Sequence, residues 1–150
     1  GSLNSWVAPV TIDSGGAISD TSIAIDSANK AHIAYHRGGI DKVKYATNSG
    51  GSWLVQELED SYAGSRGKHT SIAIDNVDNI YISYYKESSS SSAVKIIRSV
   101  AGTWRSQTID ERGDDDGTGK YTSIGIDRLG RVHISYHESN GSDLKYAMAD

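Results

Sequence analysis

One short pattern occurs three times in the sequence, and this repeat restricts the possible fold more than any other feature. Residues 21–26 and 70–75 are both Thr-Ser-Ile-Ala-Ile-Asp, and residues 122–127 are Thr-Ser-Ile-Gly-Ile-Asp. A second element follows each copy, a third comes after that, and a fourth begins at a tryptophan. The second elements are residues 32–36, 81–85 and 133–137, the third are 43–46, 94–97 and 144–147, and the fourth begin at Trp6, Trp53 and Trp104.

All four elements have the character of β-strands. They are short, rich in β-branched and aromatic residues, and bounded by Gly, Asn, Asp or Ser. No window keeps the three-and-four apolar spacing of a helix for more than a turn. We name the elements A, B, C and D in the order given above. Strand A carries small residues on one face (Ala24, Ala73 and Gly125), as expected of a crowded inner strand. A period of about fifty residues is typical of propeller blades.

The order along the chain is D-A-B-C three times, in repeats 6–52, 53–103 and 104–150 of a single domain. The first D strand has no blade ahead of it, and the last A-B-C unit has no D strand behind it. Propellers have four to eight blades, so three cannot close. We therefore predict an all-β propeller with three four-stranded antiparallel blades per chain. We expect a homodimer with a six-bladed ring, in which each chain lends its first strand to the other.

The residues that recur in every repeat have structural explanations. Asp26, Asp75 and Asp127 end strand A, where an aspartate accepts hydrogen bonds from the backbone of the following turn. The strand-B tyrosines share a face with isoleucines, which predicts packing between blades. The tryptophans open the outer strand and are expected to cover its edge. These tyrosines are Tyr35, Tyr84 and Tyr136.

Composition excludes several classes of function. The net charge is −4 and the basic residues are scattered, which argues against nucleic acid as a partner. The chain has no cysteine, so it has neither disulfides nor thiolate catalysis. No stretch is long enough for a membrane span. These features leave the cellular compartment open.

Three motifs suggest metal binding or adhesion without the spacing that either needs. Asp114, Asp115 and Asp116 lack the alternation of a calcium loop, so a solvated acidic loop is the simpler interpretation. The pairs His32/His36 and His133/His137 lie about 13 Å apart if they are on strands, too far for one zinc ion. The tripeptide at residues 112–114 is Arg-Gly-Asp, a three-letter match that arises by chance. We expect no metal and no cofactor.

Variable loops point to one rim as the functional surface. The D–A and B–C loops share this rim and differ between repeats, whereas the A–B and C–D turns are short and similar. At this rim, strand A begins and strand B ends with an aromatic, imidazole or carboxylate side chain. Side chains of these kinds can bind a sugar. The alternative is that these side chains bind no ligand and only form hydrogen bonds with the neighbouring backbone. The predicted ligand-binding residues are Asp20, His36, His69, Tyr85, Tyr121 and His137.

The repeats resemble blades of the sialidase-related β-propellers over nearly the whole chain. The turns at residues 48–53 and 99–104 are similar to the sialidase Asp-box, but both are one residue short and lack the Asp. The resemblance implies the fold without implying the activity. Retaining glycosidases need two carboxylates about 5–5.5 Å apart, and no such pair is evident. We predict a non-catalytic, lectin-like module that binds glycans. The alternatives are a glycosidase or sialidase-like hydrolase, and a structural piece of a longer repeat array.

Overall fold

The computed structural model describes residues 5–40, 42–58, 66–113 and 118–150, and the described part is all-β. The strands are β1 (Ala17–Ile25), β2 (Ala31–Gly38), β3 (Lys42–Thr47), β4 (Leu54–Glu57), β5 (Arg66–Ile74), β6 (Ile80–Glu87), β7 (Ser92–Val100), β8 (Thr103–Arg112), β9 (Lys120–Ile126), β10 (Val132–Glu138) and β11 (Asp143–Ala149). No helix in the described ranges is long and apolar enough to cross a membrane.

The strands form three antiparallel sheets, which we call blades 1, 2 and 3. Blade 1 has the order β1-β2-β3-β4, blade 2 has β5-β6-β7-β8, and blade 3 has β9-β10-β11. Each sheet therefore follows the predicted A-B-C order, and blades 1 and 2 add the D strand of the next repeat. The all-β blade architecture predicted from the repeats is confirmed.

The first predicted D strand differs from expectation. Residues 5–16 belong to no strand, although residues 6–13 correspond to β4 and β8 in the repeat. The physical reason is that a strand requires a neighbour, and this segment pairs with none of the described strands. In blade 3, β11 pairs with β10 and with no other strand that the structure describes.

The aspartate at the end of each A strand shapes the A–B turn, as predicted. Oδ1 of Asp75 accepts hydrogen bonds from the backbone N–H groups of Val77 (3.0 Å) and Asn79 (2.8 Å). Asp26 and Asp127 accept the same pair of bonds in their own turns. All three carboxylates therefore have a structural role in the A–B turns.

We expect Asp75→Ala to destabilise the fold by about 1–3 kcal/mol, because two backbone N–H groups of the turn lose their acceptor. Chemical denaturation measures this directly. Val77→Ala in the same turn is the matched control, because Val77 is exposed and its truncation should change the free energy of unfolding by no more than about 0.5 kcal/mol. Equal effects of the two changes would contradict the role of the carboxylate.

Adjacent blades pack through two apolar clusters. The first joins blade 1 to blade 2, and Ile82 and Tyr84 at its centre are fully buried. The second joins blade 2 to blade 3 around Ile134 and Tyr136. The strand-B tyrosines of blades 2 and 3 thus lie between blades, as predicted.

Hydroxyl groups join the inner strands β1, β5 and β9, which lie side by side. Thr70 Oγ1 donates to the carbonyl oxygen of Asp20, and Thr122 Oγ1 donates to that of His69 at 2.7 Å. A second bond runs from the Ile72 N–H to Ser22 Oγ (3.1 Å), repeated between blades 2 and 3 at 3.2 Å. The recurring Thr-Ser pair is therefore explained by contacts between blades.

In the two D segments whose ends the structure describes, a carboxylate binds the blade that follows. Asp110, on β8, accepts hydrogen bonds from Tyr136 (2.8 Å) and Lys145 (3.2 Å) of blade 3. Asp13 does the same for Tyr35 (2.8 Å) and Lys44 (2.7 Å) of blade 1. Residues 10–13 therefore lie on blade 1 as the end of a preceding D strand would.

Acid should release this contact. Hydrogen bonds from Lys44 and Tyr35 lower the pKa of Asp13 to about 2. A carboxyl group with a depressed pKa in the folded state contributes stability above its ordinary pKa, near 3.8, and loses it as the pH falls towards 2. We expect Asp13→Asn to lower the melting temperature at pH 7, and the gap from wild type to shrink between pH 4 and 2. A constant gap across this range would contradict the ion pair.

Candidate functional site

The six residues predicted from the strand ends lie in one continuous row along the inner rim. Asp20, His69 and Tyr121 occupy equivalent positions on β1, β5 and β9. His36, Tyr85 and His137 are on the neighbouring β2, β6 and β10. We call this set the rim row. The structure brings all six together, while their role in binding stays a prediction.

The backbone is strained at the three inner members of the row. Asp20, His69 and Tyr121 have φ angles of 52°, 54° and 54°, in the left-handed region that side chains other than glycine rarely adopt. Each sits at a break in the strand register, where a bulge re-aims the side chain. The bulge also turns the carbonyls of Asp20 and His69 towards the next blade, where a threonine donates to each.

Side-chain contacts run across blade boundaries. His69 Nδ1 lies 3.4 Å from Asp20 Oδ1, and its ring centroid is 4.5 Å from that of Tyr121. Tyr85 approaches His69 at 6.0 Å between centroids, and His137 approaches Tyr121 at 6.3 Å. A carboxylate, an imidazole and a phenol therefore stand side by side on three blades.

Ser19, which sequence reasoning missed, links the last member to the row. Its hydroxyl donates to Asp20 Oδ2 at 3.0 Å and contacts His36 Nδ1 at 3.1 Å. Because a hydroxyl has one hydrogen, His36 must donate from Nδ1 to Ser19 in this arrangement. The chain of bonds fixes the orientation of the Asp20 carboxylate.

Burial lowers the pKa of the His69 imidazole below its ordinary value, although the neighbouring Asp20 carboxylate opposes the shift. His69 is therefore mainly neutral at pH 7, a form in which one of its two ring nitrogens carries no hydrogen. Tyr121 is largely exposed, and its ring face is available for stacking. The combination offers an anionic oxygen, a neutral base and a flat apolar surface.

Titration of His69 tests this arrangement. We expect an imidazole pKa below the ordinary 6.5 of histidine in an NMR titration. Asp20→Asn should lower the pKa further, since the opposing negative charge is lost. Asp78→Asn, which alters a carboxylate in an A–B turn at the other rim, should leave it unchanged. A rise in the pKa on Asp20→Asn would show that the two groups do not interact as described.

Other sequence motifs have structural roles or lie outside the described residues. Arg112, the arginine of the Arg-Gly-Asp tripeptide, forms an ion pair with the buried Glu138, with 2.6 Å between Nε and Oε1. This arginine therefore has a structural role. His32 contacts Asp26 and Tyr45. Asp114–Asp116 and most of the loop after β4 fall outside the described residues. Within the described ranges, no group of three or more His, Cys, Asp or Glu side chains could hold a metal ion.

One cavity lies beside blade 1, and no residue of the rim row lines it. It measures about 490 Å³ and lies between residues 10–13 and the face of blade 1 that bears Ile23, Ile33 and Tyr35. Its lining is mainly apolar and corresponds to surfaces that pack between blades elsewhere in the chain. We assign it to blade packing, because sugars need more polar partners than it offers.

Two solved structures that share the fold of this chain are glycoside hydrolases. An endo-arabinase from Bacteroides thetaiotaomicron VPI-5482 has a TM-score of 0.61 and 17% identity, over 91% of this chain and 57% of its own. An α-L-arabinofuranosidase from Clostridium thermocellum ATCC 27405 has a TM-score of 0.53 and 13% identity, over 81% of this chain and 42% of its own. This chain thus spans about half the length of either protein. Its fold is that of a β-propeller, present here in part.

Sequence comparisons add no family. No protein-family model matches the chain, and no curated protein matches it in sequence. The structural comparisons nonetheless correct one prediction. The non-catalytic, lectin-like module is contradicted, because both neighbours are hydrolases and favour the alternative of a glycosidase-like enzyme. The error came from treating the missing Asp-box carboxylate as a sign of lost activity, although other propellers hydrolyse glycosides.

Proposed function

We propose that the rim row is the active-site surface of a glycosidase-like hydrolase, with α-L-arabinofuranosides as the substrate class. One observation carries the proposal: Asp20, His69 and Tyr121 hold unlike polar side chains on equivalent strained bulges at the inner rim, and His69 contacts both of the others. Strain at equivalent positions on several blades is a feature of functional sites. The substrate class is suggested by the two structural neighbours.

Asp20 is the residue placed to act on the reacting atoms. In glycoside hydrolysis the bond from the anomeric carbon to the leaving oxygen breaks, water adds to that carbon, and the leaving oxygen takes a proton. A half-buried carboxylate oriented by Ser19 suits removal of a proton from the attacking water. His69 holds the carboxylate on its other side.

Binding would fall to the aromatic members of the row. Tyr121 and His137 present ring faces at neighbouring positions, and Tyr85 lies behind His69. Flat apolar faces pack against sugar C–H groups, while the hydroxyl and ring nitrogens bond sugar hydroxyls. The turns at residues 48–53 and 99–104 also suggest a relation to the blades of sialidases, which would be consistent with glycoside hydrolysis.

Hydrolysis of an aryl α-L-arabinofuranoside, within a panel of aryl glycosides, tests the proposal. We expect turnover by the wild-type chain and a loss of about 10²–10⁴-fold in kcat on Asp20→Asn. Tyr121→Ala should raise KM more than it lowers kcat, since stacking acts on the bound substrate. Asp78→Asn, which removes a carboxylate from the opposite rim, is the matched control.

Two results would contradict the proposal. One is the absence of turnover on the whole panel by folded protein. The other is turnover that persists in Asp20→Asn at the wild-type rate. Activity on a different glycoside that is lost on Asp20→Asn would keep the site and change only the substrate class.

A further inference from the structure

We propose that a second copy of this chain covers both open blade faces and closes the propeller. Blade 1 of one copy packs on blade 3 of the other, and the reverse contact forms by symmetry. The proposal rests on three sets of contacts. Each is present between blades within the chain, and each is left unused at blades 1 and 3.

Apolar side chains on blade 1 form the first unused set. Ile23 and Ile25 on β1 are 61% and 56% exposed. Ile72, the repeat equivalent of Ile23 on blade 2, is only 6% exposed because blade 1 covers it. Blade 1 therefore carries the surface that a preceding blade would cover.

Blade 3 carries the complementary surface. Leu144 and Tyr146 on β11 are 83% and 63% exposed, whereas their blade 1 equivalents, Val43 and Tyr45, are 1% and 4% exposed. Val43 and Tyr45 are buried against blade 2. Blade 3 thus exposes the surface that a following blade would cover. Among the described residues, the matching surface that is left open is the face of blade 1 that bears Ile23 and Ile25.

The hydroxyl contacts of the inner strands are likewise unmade at the two open blade faces. Thr70 and Thr122 are buried and donate to the preceding blade, but their equivalent Thr21 is exposed. Ser22 and Ser71 accept from the following blade, but Ser123 is exposed. A second copy would place Thr21 beside the carbonyl of Tyr121, and Ser123 beside the N–H of Ile23.

The outer edge completes the match. The strand β11 has a free edge where β3 and β7 pair with β4 and β8. Residues 6–13 are the repeat equivalent of β4 and β8, and Trp6 is almost fully exposed. Since Trp104 lies opposite Ser99, Trp6 of a second copy would lie opposite Ala149. Pro9 is tolerated there because the D strand is an outer edge strand.

A second copy fits better than an unrelated partner because every contact needed is already encoded on this chain. The two open faces are complementary, so the contact is head-to-tail and closes if its rotation completes a ring. Two copies give six blades, within the range in which propellers close. Large apolar faces left open would also favour aggregation.

One position shows that the closing interface is not identical to the internal ones. Gly67 and Gly119 approach the preceding blade so closely that a Cβ would lie 2.6 Å from Val43 Cγ2 and 2.8 Å from the Val94 nitrogen. The equivalent residue of blade 1 is Ile18. The closing interface must therefore be wider at this rim, where Ile18 would meet Leu144.

Closure would also extend the rim row. Tyr121 would meet Asp20 of the second copy, as His69 meets Asp20 within the chain. The ring would then carry the rim row twice, once from each copy, so the proposed active-site surface would be present in two symmetric copies. This consequence rests on the proposed function, whereas the closure itself does not.

Light scattering of the purified chain tests the closure. We expect twice the 16.1 kDa mass of one chain at micromolar concentration. Ile23→Lys should weaken association more than about 30-fold while the circular dichroism spectrum is retained, because Ile23 is exposed in a single chain. Leu129→Lys, at an exposed apolar residue in an A–B turn, is the matched control and should stay dimeric.

Cross-linking tests the strand exchange in a chain that has no cysteine of its own. Val7→Cys combined with Met148→Cys should give a disulfide-linked dimer on mild oxidation, because the two positions would face each other across the new strand pair. Val7→Cys with Leu129→Cys is the control and should stay uncross-linked, because Leu129 is more exposed than Met148 but lies in an A–B turn away from the new strand pair.

Three outcomes would overturn the proposal: a folded monomer at micromolar concentration, an open oligomer larger than a dimer, or a dimer unaffected by Ile23→Lys. These readouts do not involve catalysis. A closed dimer without glycosidase activity would remove the proposed function and keep the closure. Activity in a monomer would do the reverse.

Discussion

The contact on which the rest of the structure depends is the one between the inner strands of neighbouring blades. A threonine hydroxyl reaches the carbonyl of a bulge residue, and a serine hydroxyl receives the N–H of an isoleucine. Sheets that meet at an angle cannot share a backbone ladder, so side-chain hydroxyls take over the pairing. Because these bonds recur at equivalent positions, every blade meets its neighbour in the same orientation, and the apolar faces behind them are brought into contact.

Much of this fold follows from the sequence because its signals are local and repeated. The period, the alternation within strands and the turn aspartates each depend on a few adjacent residues, and all three copies agree. The rim row could be found as well, since strand ends on the loop-bearing side are fixed by topology. Its continuity, from Asp20 through His69 to Tyr121, follows from the same repetition.

Other features were not accessible because they depend on distances between blades. Thr70 and Ser22 look like ordinary strand residues until their partners on the adjacent blade are known. The pairing of Asp13 with Tyr35 and Lys44 likewise joins segments far apart in sequence. One signal in the sequence could have revealed this pairing: Asp13 follows Trp6, and Asp110 follows Trp104, at spacings that differ by one residue. The function was misjudged for a different reason, because one absent motif was given more weight than the fold.

The bulge has a consequence for how such a protein can change. At Asp20 and His69 the main chain makes the bond to the next blade, while the side chain points to the rim. The left-handed backbone costs on the order of 1 kcal/mol for residues other than glycine, less for Asp, Asn and His and more for β-branched side chains. The main-chain carbonyl of each residue thus stabilises the contact between blades, while its side chain is available for binding or catalysis. Carboxylate, imidazole and phenol can be exchanged at these positions during evolution, so new specificities can arise on an unchanged scaffold.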